Sequence, residues 1–339
     1  MPQDKPDCFG FQWHITDRCS GKCSHCYQEK FDREGEQSLD RLKRTADVVM
    51  EHFSVPVSIN LTGGEPLLFP ELFDLVSYVN HFDNVKEVNL ITSAMNIDGY
   101  KTEQICRSGF SSLKISLESH IPSVNDSIRG QGHYEAVIRN IGNLRDAGQR
   151  IILMVTLGSY NYRAVPGLCA LAGGLGIEGI IFERYVPLGR GKSQASSVLS
   201  HTQWKEVLCS ICATADMETD PLELLPYKAF WVDVSSGLDD ISVSGALCNL
   251  GISSMALMPD GTVFPCRRLP FSVGKLPEQS MSDILSRLVL YAPENISSRL
   301  AGPVCSSCRF EQCAGCRALV MALGGELFDD DPQCPLHSL

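Results

Sequence analysis

Positive charge is in short supply in this chain. Its 339 residues include 29 Lys and Arg against 40 Asp and Glu, a formal charge of −11 at pH 7. Nucleic acids and anionic membranes are gripped by clustered Lys and Arg, so neither partner is expected. Long apolar runs are also missing. The longest uncharged stretch, residues 241–259, is interrupted by four serines, Asn249 and two glycines, which argues against a membrane span. The opening Met-Pro-Gln-Asp-Lys-Pro lacks the apolar segment of a signal peptide. A cytoplasmic protein is the expectation. There is no long repeat and no low-complexity segment. With 44% hydrophobic and 20% charged residues the chain can bury a sizeable core.

Cysteine, by contrast, is plentiful. Fifteen residues is about 4% of the chain, below the ~8–10% of a small disulfide scaffold. In a reducing compartment, clustered cysteines more often hold metal than form bridges.

The first 190 positions alternate between strand and helix patterns. Strands are predicted at 11–15, 57–61, 87–92, 112–117, 150–156 and 179–185. Between them Leu39, Leu42, Ala46, Val49 and Phe53 recur at helical spacing, as do Val137, Ile138, Ile141, Leu144 and Ala147, with Gly148 as a stop. Repeated βα units imply a parallel sheet. Six units are too few to close an eight-stranded barrel, so the expected fold is α/β, a partial (β/α)6 TIM-like barrel with its chemistry at the strand C-termini. It is expected to span 9–195, with linker-like composition at 189–197 leading into a bridging helical region at 196–247. A small cysteine-rich domain at 248–339 holds seven of the fifteen cysteines.

Directly after the first strand stand Cys19, Cys23 and Cys26, spaced C-x3-C-x2-C. Three soft sulfur ligands on one loop suit an iron–sulfur cube and leave one metal corner open; a zinc loop completed by His25 or His14 fits the spacing too. One βα unit later comes Thr62-Gly63-Gly64-Glu65-Pro66. Its glycines allow a close backbone approach, and Glu65 offers a carboxylate to a cation.

The two motifs together resemble those of the radical S-adenosylmethionine (radical SAM) superfamily, over roughly residues 9–190. The resemblance implies that Cys19, Cys23 and Cys26 hold a [4Fe–4S] cluster whose fourth iron binds S-adenosyl-L-methionine. It further implies that Tyr27 packs near the adenine, that Gly63, Gly64 and Glu65 meet the SAM amine, that Ser116 touches the ribose and that Arg129 meets the carboxylate. Where the family often has Thr-Asn-Gly, this chain has Thr92-Ser93-Ala94. An external low-potential electron donor is implied as a partner.

The C-terminal set is Cys248, Cys266 within Gly261-x4-Cys266, Cys305-x2-Cys308-x4-Cys313-x2-Cys316, and Cys334. It resembles the SPASM domain, a radical SAM extension with two auxiliary [4Fe–4S] clusters, although two of the central loops are each one residue shorter than usual. The resemblance assigns Cys248, Cys266 and Cys316 to an inner cluster and Cys305, Cys308, Cys313 and Cys334 to an outer one. A zinc ribbon through Cys305, Cys308, Cys313 and Cys316 would orphan the other three. Cys209 and Cys212, at i and i+3 of a predicted helix, read as core positions or as a source of the inner cluster's fourth ligand. Cys8, Cys106 and Cys169 read as buried small hydrophobes.

SPASM proteins mostly modify peptides or proteins, by crosslinking, epimerisation or oxidation, and the segments 11–19 and 184–191 look most like that branch. The expected partner is therefore a peptide or small-protein substrate. With about ten residues before the first strand, leader recognition would fall to a separate protein or to 200–247. Tetrapyrrole or other cofactor biosynthesis is the alternative, and a non-catalytic iron–sulfur electron carrier the third. Asp329-Asp330-Asp331 reads as a solvated charge run; no catalytic acid or base is legible.

Overall fold

The computed structural model describes residues 8–311 and 313–338; the N-terminal stretch judged for a signal peptide lies outside them. Six strands follow one another in order: β1 (Phe9–Thr16), β2 (Val57–Gly63), β3 (Val85–Thr92), β4 (Ser112–Ser116), β5 (Ile151–Leu157) and β6 (Gly179–Arg184). Each is hydrogen-bonded in parallel to the next. The helices between them are α1 (Leu39–His52), α2 (Leu72–Val79), α3 (Gly99–Arg107), α4 (Pro122–Arg129), α5 (His133–Asp146) and α6 (Val165–Leu175). The expected partial barrel is what the chain forms, and the strand and helix bounds agree to within two residues for most elements.

Alternation explains which side of the sheet does what. In β1, Phe9, Phe11, Trp13 and Ile15 are buried in the main core, while Gly10 and Gln12 on the other face line cavities. Leu42, Ala46, Val49 and Met50 seat α1 on that core.

The sheet does not stop at six strands. β7 (Tyr227–Asp233) adds antiparallel to β6 and β8 (Ser242–Leu247) to β7, whereas β9 (Ser254–Leu257) runs parallel beside β1, followed by β10 (Thr262–Phe264) and β11 (Gly274–Lys275). One open sheet of eleven strands results. The region 196–247 is thus only partly helical: α7 (His201–Thr214), started by a Ser200–Gln203 capping box, precedes a strand pair. β7 buries Phe230 and Val232 alternately, a period-two signal too short to stand out between polar neighbours.

The linker-like segment at 189–197 is not a free tether either. It folds as 3-10 turns against the cysteine loop, Arg190 N donating to Gln28 O at 3.0 Å and Gly191 N to Cys26 O at 2.8 Å. Gly189 has φ of +54°, and a Cβ on it would lie 2.3 Å from Tyr27 O. Only glycine fits there.

Candidate functional site

Loops at the C-terminal ends of β1 to β6 surround an open cavity, about 1260 Å³ including the space open to solvent, lined by Cys19, Cys23, Cys26, Tyr27, Gly63, Gly64, Ser116 and Arg129. Of the residues expected to serve the cluster and cosubstrate, all but Glu65 meet here.

The cysteine loop is built for anionic sulfur. Gly21 N donates to Cys19 Sγ at 3.2 Å and Gln28 N to Cys26 Sγ at 3.4 Å, and Arg129 Nη1 faces Cys23 Sγ at 3.7 Å. A Cβ on Gly21 would lie 3.3 Å from Cys19 Sγ, a tight contact. Without a counter-charge, burial pushes the Cys19 thiol up to about 11, aided by Glu65 and the two other thiols and opposed by the Gly21 hydrogen bond. Burial raises Cys26 as well. Buried thiols such as Cys19 and Cys26 ionise readily only with a cation beside them. The donor set therefore fits a cluster held on three cysteines.

Neither histidine completes a zinc loop. His25 Nε2 turns to Glu118 Oε1 at 3.2 Å, and His14 packs edge-on to Tyr27 with ring centroids 6.0 Å apart. Among the described residues, no group of three or more His, Cys, Asp or Glu side chains is arranged to hold a single metal ion; the cysteines are spread around cavities instead.

The Gly63-Gly64 turn is needed for packing against protein, not only for ligand approach. A Cβ at Gly63 would lie 2.2 Å from Thr16 O and one at Gly64 2.3 Å from Arg18 O. The turn is stitched to the cysteine loop by Gly64 N to Thr16 O, 2.8 Å, and Glu65 N to Arg18 O, 2.7 Å. The carboxylate of Glu65, expected at the SAM amine, lies behind the cavity wall. Thr92 Oγ1 donates to its Oε1 at 2.7 Å, and Ser93 N and Oγ donate to its Oε2 at 2.9 and 2.6 Å. Glu65 thus positions Ser93, which does line the cavity. Ala94, where the family often has glycine, sits at φ +52°.

Arg129 is not a free cation. Its Nε donates to Glu118 Oε1 at 2.9 Å and its Nη2 pairs with the same oxygen. Glu118, fully buried, also accepts from Thr156 N at 2.8 Å. Burial alone would push its carboxyl up, but the charges of Arg129 and His25 outweigh that and hold it at about 2. Glu118 was absent from the sequence reading, although its place two residues past Ser116, at a strand C-terminus, was a usable signal.

The C-terminal cysteines separate into two groups. Cys305, Cys308, Cys313 and Cys334 line one cavity of about 410 Å³. Cys248, Cys266 and Cys316 line another of about 1270 Å³. This partition is the one the resemblance implied, and it separates Cys316 from the zinc-ribbon set. Cys212 is in the main core and Cys209 is exposed beside Arg163 and Glu206, away from the inner cavity. Cys169 is buried in the core; Cys8 and Cys106 are only partly buried.

The aspartate run is only partly solvated: Asp329 is exposed, Asp330 is half-buried and Asp331 is buried. Asp331 is buried, accepts from Arg184 Nη1 at 2.9 Å and from Cys316 N at 2.8 Å, and is held at about 2, burial being outweighed by Arg184. Asp330 Oδ1 accepts from Cys305 N at 2.7 Å. Both clamp the backbone of the cysteine loops.

An open parallel barrel with a three-cysteine loop at its mouth and further cysteine-lined cavities behind it defines an iron–sulfur enzyme class. Residues 13–172 match the radical SAM superfamily and residues 248–317 the iron–sulfur cluster-binding SPASM domain. The chain belongs to the radical SAM superfamily and carries a C-terminal SPASM domain. It is similar to an AdoMet-dependent heme synthase of Methanosarcina barkeri, 26% identical over 95% of either chain. The mycofactocin maturase MftC of Mycobacterium tuberculosis is 26% identical over 98% of this chain and 83% of its own. In fold it resembles Streptococcus suis SuiB bound to the precursor peptide SuiA, with a TM-score of 0.69 and 14% identity, over 96% of this chain and 75% of that one.

Proposed function

We propose that this radical SAM enzyme modifies a peptide or protein substrate. Cys19, Cys23 and Cys26 would hold a cluster that, with SAM bound, would supply the radical chemistry needed to remove a hydrogen atom from an unactivated C–H bond.

The chain's own residues prepare that event. Tyr27 lies between His14 and Arg267, whose guanidinium is 4.5 Å from its ring centroid, and lines the cavity where the adenine would pack. Gly63 and Gly64 present backbone to the cosubstrate amine, Ser93 and Ser116 present hydroxyls to its ribose, and Arg129 remains the proposed neighbour of its carboxylate. Ile91, Met95, Met154 and Val186 on the wall exclude water around the reacting bond. Cys248, Cys266 and Cys316 would hold an inner auxiliary cluster, and Cys305, Cys308, Cys313 and Cys334 an outer one; an external low-potential donor would reduce them. The domain boundaries 9–195, 196–247 and 248–339 belong to the same proposal.

The observation that supports catalysis most directly is the convergence of the cysteine loop and the Gly63-Gly64 turn on one cavity, which shares wall residues with the cavity of Cys266. The maturase relative and the peptide-bound neighbour favour a peptide. A second reading, action on a tetrapyrrole, is favoured by the heme synthase similarity along nearly the whole length of both chains. Anaerobic reconstitution followed by product analysis with peptide and with porphyrin decides between them. Peptide-dependent formation of 5′-deoxyadenosine supports the first reading, and porphyrin-dependent formation alone replaces it with the second.

A further inference from the structure

Cys266 is followed by two arginines, and the two have different fates. Arg268 donates from Nη1 to Arg184 O at 3.0 Å and from Nη2 to Glu183 at 2.7 Å. Arg184 is paired with Asp331 and Arg129 with Glu118. Each of these three guanidiniums on the cavity wall is thus matched by a carboxylate. Arg267 is not. Its Nε is buried without a hydrogen-bond partner, and among the described residues no carboxylate is paired with it. The Tyr27 ring stacks on it and orients the planar group; the carboxylates of Asp17 and Glu29 are near enough to feel its charge, but neither forms an ion pair or hydrogen bond with it.

Its location gives this unmatched charge a use. Arg267 lines both the cavity of the cysteine loop and that of Cys248, Cys266 and Cys316; Gln12, Glu183, Arg184 and Arg268 share this position. It stands on the wall between the proposed cosubstrate site and the inner auxiliary site, where a substrate must reach. A half-buried guanidinium with unspent planar donors selects a carboxylate, which it can bind bidentately.

The geometry points to Arg267 as the anchor for a carboxylate of the substrate, either the C-terminus or an acidic side chain of a peptide, or a propionate of a tetrapyrrole. The inference rests on the proposed function for the identity of the neighbouring cosubstrate site; the charge imbalance at Arg267 does not depend on it.

The test is equilibrium dialysis with reconstituted holoenzyme and SAM, using two matched probe pairs. One pair is coproporphyrin III and its tetramethyl ester. The other is a mixed hexapeptide pool with free C-termini and the same pool amidated. Wild type should prefer the free acid of one pair by roughly tenfold to a hundredfold. In Arg267→Gln that ratio should fall close to one, and Arg267→Lys, which keeps the charge but not the fork, should lie between. A preference in the peptide pair identifies a peptide source, and one in the porphyrin pair a tetrapyrrole; either supports the anchor. No preference in either pair overturns it. So does a preference that persists undiminished in Arg267→Gln, including the case where SAM affinity falls instead. Failure of wild type to form 5′-deoxyadenosine would sink the enzymatic reading, while the ratio would still decide the anchor.

Discussion

Arg184 and Asp331 form a buried ion pair at 2.9 Å between the end of β6 and the C-terminal cysteine region, 147 positions apart in sequence. Arg184 lines the cavity of Cys19, that of Cys305 and that of Cys248, and its guanidinium lies 4.9 Å from the Trp204 ring centroid. Asp331 in turn binds the backbone of Cys316. The pair fastens the barrel to the cysteine loops.

Removing one partner strands a buried charge. Arg184→Ala should lower stability by about 3–5 kcal/mol, seen as a large drop in Tm of the anaerobic, cluster-loaded protein. The paired replacement Arg184→Met with Asp331→Leu should cost less than the two single changes added together. Additive losses would show that the two residues do not act as a unit.

The Glu118–Arg129 pair predicts a specific acid response. Glu118 is held at about 2 against an ordinary value of 4.5, so its contribution is complete above pH ~4.5 and is lost as pH falls toward 2. The stabilisation is on the order of 3 kcal/mol. Glu118→Gln should be destabilised at neutral pH and should converge on wild type near the acid end. Thermal unfolding of the apo protein between pH 6 and pH 3 checks this; parallel curves over that range would contradict it.

Glycine positions should separate by what surrounds them. Gly63→Ala and Gly64→Ala drive a methyl into the Thr16 and Arg18 carbonyls, and each should cost about 1–3 kcal/mol or more. Gly142, inside α5 with nothing within 4 Å of a new Cβ, should instead gain up to about 1 kcal/mol as Ala. Denaturation midpoints of the three variants provide the comparison.

The cysteine partition predicts iron content. Three cubes correspond to roughly 12 iron atoms per chain. Replacing Cys19, Cys23 and Cys26 with Ala should remove about a third of the iron and all SAM cleavage. Replacing Cys305, Cys308 and Cys334 should remove a similar share while leaving the first cluster in place. Wild-type protein loading only ~4 iron would contradict the auxiliary clusters.

What could be read from sequence was local. β1 to β6 carry their own periodicity, and the Cys19-Cys23-Cys26 and Gly63-Gly64 motifs each sit within a few residues. β9, β10 and β11, of four, three and two residues, are too short to show a period. Asp331 and the Gly189–Gly191 segment were misjudged because composition reports what a segment resembles, not what packs on it. Asp331 finds Arg184, and Gly189 lies against Tyr27 O, only in three dimensions. Arg267 is the same case: nothing in the order Cys266-Arg267-Arg268 says which arginine is matched by a carboxylate.

The most direct measurement is electron paramagnetic resonance of the dithionite-reduced, anaerobically loaded protein before and after adding S-adenosyl-L-methionine. If the cluster on Cys19, Cys23 and Cys26 keeps one iron free of protein ligands, the cosubstrate shifts its signal, and the shift is absent when those three cysteines are Ala. A wild-type spectrum indifferent to S-adenosyl-L-methionine would contradict the account.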